Sequence, residues 1–197
     1  VVWLLFVVNQ GLQFNSVLLS LFDDCLNQLS DIPPEANFGF LYLSDRVADQ
    51  ADFILDKLKQ VTGISDWVGT VGIGIIASQV EYYDQPAMAV MLAGFNEADF
   101  YMLPNCTGAT ADLPDALASW CGANDFNVGL LHADPSNVST QPLLKDLNDV
   151  IPTAFLVGGI TSSRGSNVQF ANQLFDKGVS GVLFSPAVPI MTNLTQG

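Results

Sequence analysis

The sequence predicts an α/β (α+β) domain in which mixed sheets with β-hairpins are covered by helices, layered α-β-β-α. Three observations carry this. Stretches of helical periodicity alternate with short runs dense in β-branched and aromatic residues. Two pairs of such runs are joined by connections too short for a crossover helix, so they read as antiparallel hairpins. The chain is 49% hydrophobic and only 13% charged, which leaves enough apolar surface for helices to pack on sheets in several layers.

The elements follow in order. Residues 1–8 are an apolar run, too short to span a bilayer. It is read as the core of an N-terminal extension over residues 1–13, serving as an edge strand, the remnant of a targeting segment or an interaction tail, with the main domain over 14–197. Apolar positions 14, 17, 18, 21, 22, 25, 26 and 29 lie on one helical face. Pro33 and Pro34 break that helix, and residues 38–43 form a buried strand. Residues 49–61 form a second helix with Phe53, Ile54, Leu58 and Val61 as its stripe and Gly63 as its C-cap. Residues 67–77 read as one long strand that turns at 81–86 and returns over 87–93. Residues 113–120 form a short helix with Asp112 as N-cap and Gly122 closing it. A strand over 127–132, a helix over 139–150 and a strand over 154–157 follow. The segments 168–175 and 179–184 read as a second hairpin turning at 176–178. The order suggests two units of similar kind, although no repeat is visible in the residues themselves.

Composition excludes several functions. Twenty acidic residues face six basic ones, a formal net charge of −14. Such a chain repels nucleic-acid backbones and anionic membrane surfaces, and no stretch is long and apolar enough for a membrane-spanning helix. Cys25, Cys106 and Cys121 are odd in number and form no CxxC pair, so neither a disulfide framework nor a zinc ribbon is encoded. A reducing compartment is expected, the cytoplasm or a plastid stroma. The low charged fraction points to a partner domain or subunit covering apolar surface.

Three clusters could carry chemistry. Gly158 and Gly159 follow a buried strand and open a loop with Thr161, Ser162, Ser163 and Arg164. Free backbone N–H groups, hydroxyls and one guanidinium make a cradle for a carboxylate or phosphate at a strand's carboxyl end. His132, the only histidine, sits at another strand end two residues before Asp134. Gly69 and Gly72 lie in a glycine-rich strand whose spacing is not that of a nucleotide loop, so close approach of a backbone or ligand is their reading. No GxSxG elbow or metal-ligand spacing accompanies them, and no catalytic residue, metal or cofactor is expected.

Six segments in this order resemble the N-terminal part of the FIST domain family. They are FGFLYLSD at 38–45, WVGTVG at 67–72, EYYDQPA at 81–87, GLLHADP at 129–135, FLVGGITSS at 155–163, and GVSGVLFSP at 178–186 with LTQG at 194–197. The likeness extends from about residue 14 to the end. It implies a sensory domain of signal-transduction proteins that binds a small ligand, with amino acids as candidates and no catalytic residues to carry over. It also implies a C-terminal FIST half, which residues 1–197 do not include, as a partner.

The leading expectation is therefore non-catalytic sensing of a small anionic or zwitterionic ligand, such as an amino acid. Gly158, Gly159, Thr161, Ser162, Ser163 and Arg164 would line its pocket with His132, Asp134, Gly69 and Gly72 nearby. A scaffold or accessory subunit in a larger assembly is the alternative. A hydrolase or transferase using Cys106, Cys121 or His132 is the third.

Overall fold

A computed structural model describes residues 2–8, 32–77, 80–108, 115–124, 127–151 and 153–192. The helix expected over 14–29 and the N-cap expected at Asp112 lie outside the described residues.

The first unit is built on β2 (Phe38–Ser44), whose two faces are both apolar. Phe38, Phe40 and Tyr42 point one way and Leu41 and Leu43 the other, the pattern of a strand covered on both sides. A 3-10 turn (Asp45–Gln50) leads into helix α1 (Ala51–Thr62), which buries Ile54, Leu55 and Leu58. Gly63 ends α1 at φ 72°, donating its N–H to the Lys59 carbonyl at 2.9 Å. The chain returns as β3 (Asp66–Gly72), parallel to β2.

The expected long strand over 67–77 is in fact two. β3 stops at Gly72, and β4 (Gly74–Ala77) pairs instead with β5 (Val80–Tyr83) in a separate ribbon. The run from 87 to 93 is β6 (Ala87–Ala93), and it pairs with β2 rather than with β3. β1 (Val2–Val8) pairs with β6 along seven residues. That apolar run is thus an edge strand of the main sheet, one of the three roles expected for it.

The second unit begins with β7 (Phe100–Cys106), which the sequence reading did not assign. Helix α2 (Asp115–Gly122), β8 (Asn127–Ala133), helix α3 (Thr140–Val150) and β9 (Ala154–Ile160) follow, with β9 parallel to β8. The second hairpin also differs from expectation. β10 (Gln169–Ala171) turns at Asn172 onto the short β11 (Leu174–Phe175). β12 (Val179–Phe184) instead enters the other sheet between β7 and β8.

Two mixed sheets result, ordered β1-β6-β2-β3-β10-β11 and β7-β12-β8-β9. One apolar cluster joins α1 to the first sheet through Leu41, Trp67 and Phe170. A second joins α2 and α3 to the second sheet through Leu117, Leu143 and Leu183. A third lies between the sheets, where the Phe38 ring meets Phe100 edge-on and Phe184 at a tilt. The layering is α-β-β-α.

The two units are copies of one topology. β1-β6-β2-β3 and β7-β12-β8-β9 share strand order and every strand direction, and in each a helix crosses between the parallel pair. Register makes Leu41 opposite Gly69 the counterpart of Leu131 opposite Gly158. Both glycines hold positive φ, 155° and 143°, and a Cβ at either would run into the carbonyl of its facing leucine. Tyr42 and His132 are then equivalent residues, and they hydrogen-bond to each other between the sheets at 3.1 Å.

Candidate ligand site beside strand β9

The glycine pair lies inside a strand, not in a loop after one. β9 runs on through Gly158, Gly159 and Ile160, and only residues from Thr161 onward leave the sheet. A groove of about 390 Å³ opens between this strand and α3. Gly158, Gly159 and Ile160 form one wall, Leu131 and Ala133 the floor, and Leu144 with Asn148 the α3 side. The lining is largely apolar. Asn148 provides its one side-chain amide.

The remaining predicted residues sit elsewhere. His132 is the register neighbour of Gly159, yet its ring turns to the opposite face of the sheet. It is buried there against Tyr42, the rings 5.6 Å apart. Burial pushes the Tyr42 hydroxyl up to about 12 and holds His132 down at about 4. Both side chains are neutral near pH 7, and the hydroxyl and Nε2 share one hydrogen bond. Nδ1 is buried with no hydrogen-bond partner among the described residues. A neutral, enclosed ring of this kind suits structure better than proton transfer at neutral pH.

Asp134 is fully buried and caps the turn after β8, accepting from the Ser136 N–H and hydroxyl at 2.8 Å each and from Asn167 Nδ2 at 3.3 Å. Thr161 is buried as well; its N–H donates to the Ala133 carbonyl at 2.8 Å and its hydroxyl meets that of Thr70 at 2.7 Å. Ser163 Oγ accepts from the Gly165 N–H at 3.0 Å, and Ser162 is exposed. Gly69 and Gly72 belong to the first unit, Gly69 as the counterpart of Gly158.

Arg164 does not face the groove. Its Nε and Nη2 donate to the two carboxylate oxygens of Asp45 at 2.9 and 3.2 Å, and its Nη1 pairs with Asp84. Hydrogen bonds from Arg164 and then Arg46 hold the Asp84 carboxyl below its usual range. The guanidinium expected to meet a ligand anion is thus already engaged by two carboxylates. It ties the segment after β9 to the first unit.

Neither described cysteine reaches the groove. Cys106 and Cys121 are buried, and burial pushes the Cys121 thiol up to about 11, far from a reactive thiolate. Cys25 lies outside the described residues. Among the described residues no three His, Cys, Asp or Glu side chains converge as metal ligands do, and no helix is long and apolar enough to cross a membrane.

The sequence reading found the glycines of the groove and missed its apolar walls. Leu131, Leu144 and Leu156 look like core residues of a strand or helix, and only the spacing of Leu144 and Asn148 on one helical face hints at a shared surface. No curated protein matches the chain. The model of the FIST N domain family matches residues 37–197, which take in both parallel strand pairs, the groove and the Arg164 clamp. The chain belongs to the FIST N domain family.

Proposed function

We propose that this domain is a non-catalytic sensory module that binds a small, amino-acid-like ligand in the groove between β9 and α3. The FIST family is associated with signalling, which supports a sensory role in general terms. The observation that supports the site is the groove itself, with the glycine pair as one wall and apolar side chains around it. Apolar lining with a few polar groups is the usual make-up of a small-ligand pocket, and its volume falls in the usual range. The −14 charge disfavours a simple anion, and Arg164 is occupied, so a zwitterion with an apolar body fits better than a bare carboxylate. Its apolar part would rest on Leu131 and Leu144, and its polar end would meet the Asn148 amide and the backbone of Gly158.

Thermal-shift titration with leucine, methionine, phenylalanine, aspartate and glutamate tests this. A ligand at about 100 times its Kd adds ~2.7 kcal/mol. For a chain of this size that raises Tm by about 5–10 °C. The apolar amino acids are expected to stabilise and the acidic ones not. No shift with any of them at millimolar concentration removes the proposal.

A second reading, a scaffold piece in a larger assembly, is favoured by the β4–β5 ribbon, where Ile76 is 77% and Tyr83 62% exposed. A stable partner lost on changing Ile76→Lys would support it.

A further inference from the structure

The duplication shows what the groove beside β9 is shaped to receive. In the first unit the strand equivalent to β9 is β3, and its outer edge is covered. β10 lies antiparallel along it, with Gln169 opposite Thr70, Phe170 opposite Gly69 and Ala171 opposite Val68. The Val71 N–H donates to the Val168 carbonyl at 3.2 Å, and the Asn172 N–H to the Trp67 carbonyl at 2.9 Å. Trp67, Gly69 and Val71 are therefore the residues whose main chain turns outward. Phe170 is fully buried in the cluster under α1.

β9 has the same construction without the cover. Among the described residues no strand pairs with its outer edge. Phe155 is 49% and Ile160 63% exposed, large apolar residues on an edge that proteins ordinarily blunt with charge, proline or a bulge. The strand has no charged residue. Thr161 donates its N–H inward to Ala133, so by the alternation of strand residues Leu156, Gly158 and Ile160 turn their main chain outward. These are the register counterparts of Trp67, Gly69 and Val71. The left-handed kink at Gly158 is no obstacle, because Gly69 has the same kink and is paired. Both faces of the edge are hollow. The 390 Å³ groove lies on the α3 side, where Phe170 lies in the first unit, and a second apolar groove of about 350 Å³, lined by Val157, Leu130, Met91 and Ile190, lies on the side of the first sheet.

We propose that the β9 edge binds an extended peptide strand, antiparallel, with an aromatic or large aliphatic side chain opposite Gly158 filling the groove against α3. Main-chain bonds to Leu156, Gly158 and Ile160 supply pairing, and the two grooves take alternate side chains. The peptide is neutral or basic. The internal strand that covers β3 is uncharged over residues 166–175, and the −14 charge works against acidic partners and against a second copy of this chain. This rests on the groove as the sensing site and names its ligand class: an apolar residue presented within a chain.

The probe is a dye-labelled peptide with the sequence of residues 167–173, NVQFANQ, titrated into the full chain and read by fluorescence polarisation. Two altered peptides accompany it, one with aspartate for its phenylalanine and one N-methylated at its phenylalanine and second asparagine. Saturable binding is expected, with each alteration weakening it by about tenfold or more, as the loss of one or two hydrogen bonds or an apolar anchor requires. Hydrogen exchange is expected to slow at the amides of Leu156, Gly158 and Ile160 and not at Val157 or Gly159. Absence of binding at about millimolar protein, equal binding of the N-methylated peptide, or protection at β3 instead of β9 each overturns the proposal. So does sedimentation showing that the chain pairs β9 with itself and excludes the peptide. Free phenylalanine separates the two readings: if it raises Tm while the peptide fails to bind, the small-ligand site stands and the strand acceptor falls.

Discussion

Gly158 and Gly159 are neighbours in one strand, and the geometry assigns them opposite tolerances. Gly158 holds φ at 143°, and a Cβ there would strike the Leu131 carbonyl across the β8–β9 pair. Gly159 has no positive φ, and a Cβ there meets nothing within 4 Å. For Gly158→Ala the backbone conformation alone is worth about 1–3 kcal/mol of strain. Relieving the collision with the Leu131 carbonyl requires β8 and β9 to part or the chain to leave this conformation, so the total is about 2–4 kcal/mol, the upper part of the range for single substitutions. At ~2–4 °C per kcal/mol for a chain of this size, Tm falls by about 5–15 °C. Gly159→Ala removes only unfolded-state freedom and stays within about 1 kcal/mol of the parent in either direction. Urea unfolding followed by far-UV circular dichroism measures both, with Gly69→Ala beside them as the same lesion in the first unit. Equal midpoints for the two β9 variants, or a harmless Gly69→Ala beside a damaging Gly158→Ala, would refute the reasoning, because one backbone device underlies both units.

The buried pair between the sheets predicts a pH effect of definite sign. Folded His132 binds its proton only near pH 4, whereas the unfolded side chain binds near 6.5. Stability from this residue is whole above pH 6.5 and is lost as pH falls toward 4, at up to ~1.4 kcal/mol per unit, about 3 kcal/mol in all. Denaturation midpoints against pH should show that slope, and His132→Gln should flatten it. Tyr42→Phe leaves Nε2 of His132 buried without its hydrogen-bond partner and is expected to cost about 1–3 kcal/mol, read by the same urea titration. Arg164→Ala should leave the affinity for any ligand of the groove unchanged, since that guanidinium serves Asp45 and Asp84; a loss of affinity in a binding titration would return it to the site. Cys121 should resist a thiol reagent in the native state and react on unfolding, as buried thiols do.

Much of the fold was legible where a pattern is local. β2 has apolar residues on both faces and α1 has a capping glycine, so both were found close to their true bounds, but of the stripe expected on α1 only Ile54 and Leu58 are buried; Phe53 and Val61 are exposed and Leu55 takes their place in the core. Pairing was not local and was misread. The run from 67 to 77 looks continuous, yet the glycines at 72 and 74 end one strand and begin another, and β6 pairs with β2 across α1 and β3 in sequence. β7 escaped because Pro104 and Asn105 break its apolar run; proline is tolerated there since β7 is the edge of its sheet. The site was half legible. Paired glycines after an apolar run did mark the groove. Arg164 did not, because its partners Asp45 and Asp84 are 119 and 80 residues away in sequence, and nothing short-range announces that two carboxylates will claim it.

The copied topology also explains why one edge is closed and the other open. Each unit inserts a small hairpin between its third and fourth strands, β4–β5 in the first and β10–β11 in the second. Had both hairpins crossed to the opposite unit, each would seal the other's parallel pair. Only β10–β11 does so. Gln169 fixes it there, accepting from the Ser180 hydroxyl at 2.8 Å and donating to the Gly178 carbonyl at 3.1 Å, so that the second unit's own strand β12 holds the strand that caps the first. β4–β5 pairs only with itself. Burying one aromatic side chain is worth about 1.5–3 kcal/mol, so the first unit gains from Phe170 about what the second forgoes at β9. An edge that forgoes this within the chain retains it for an incoming strand, and the kinked glycine, the hollow on each face and the outward amides are already in place. The asymmetry between two otherwise matching halves is thus confined to the placement of one hairpin, and it falls where the groove lies.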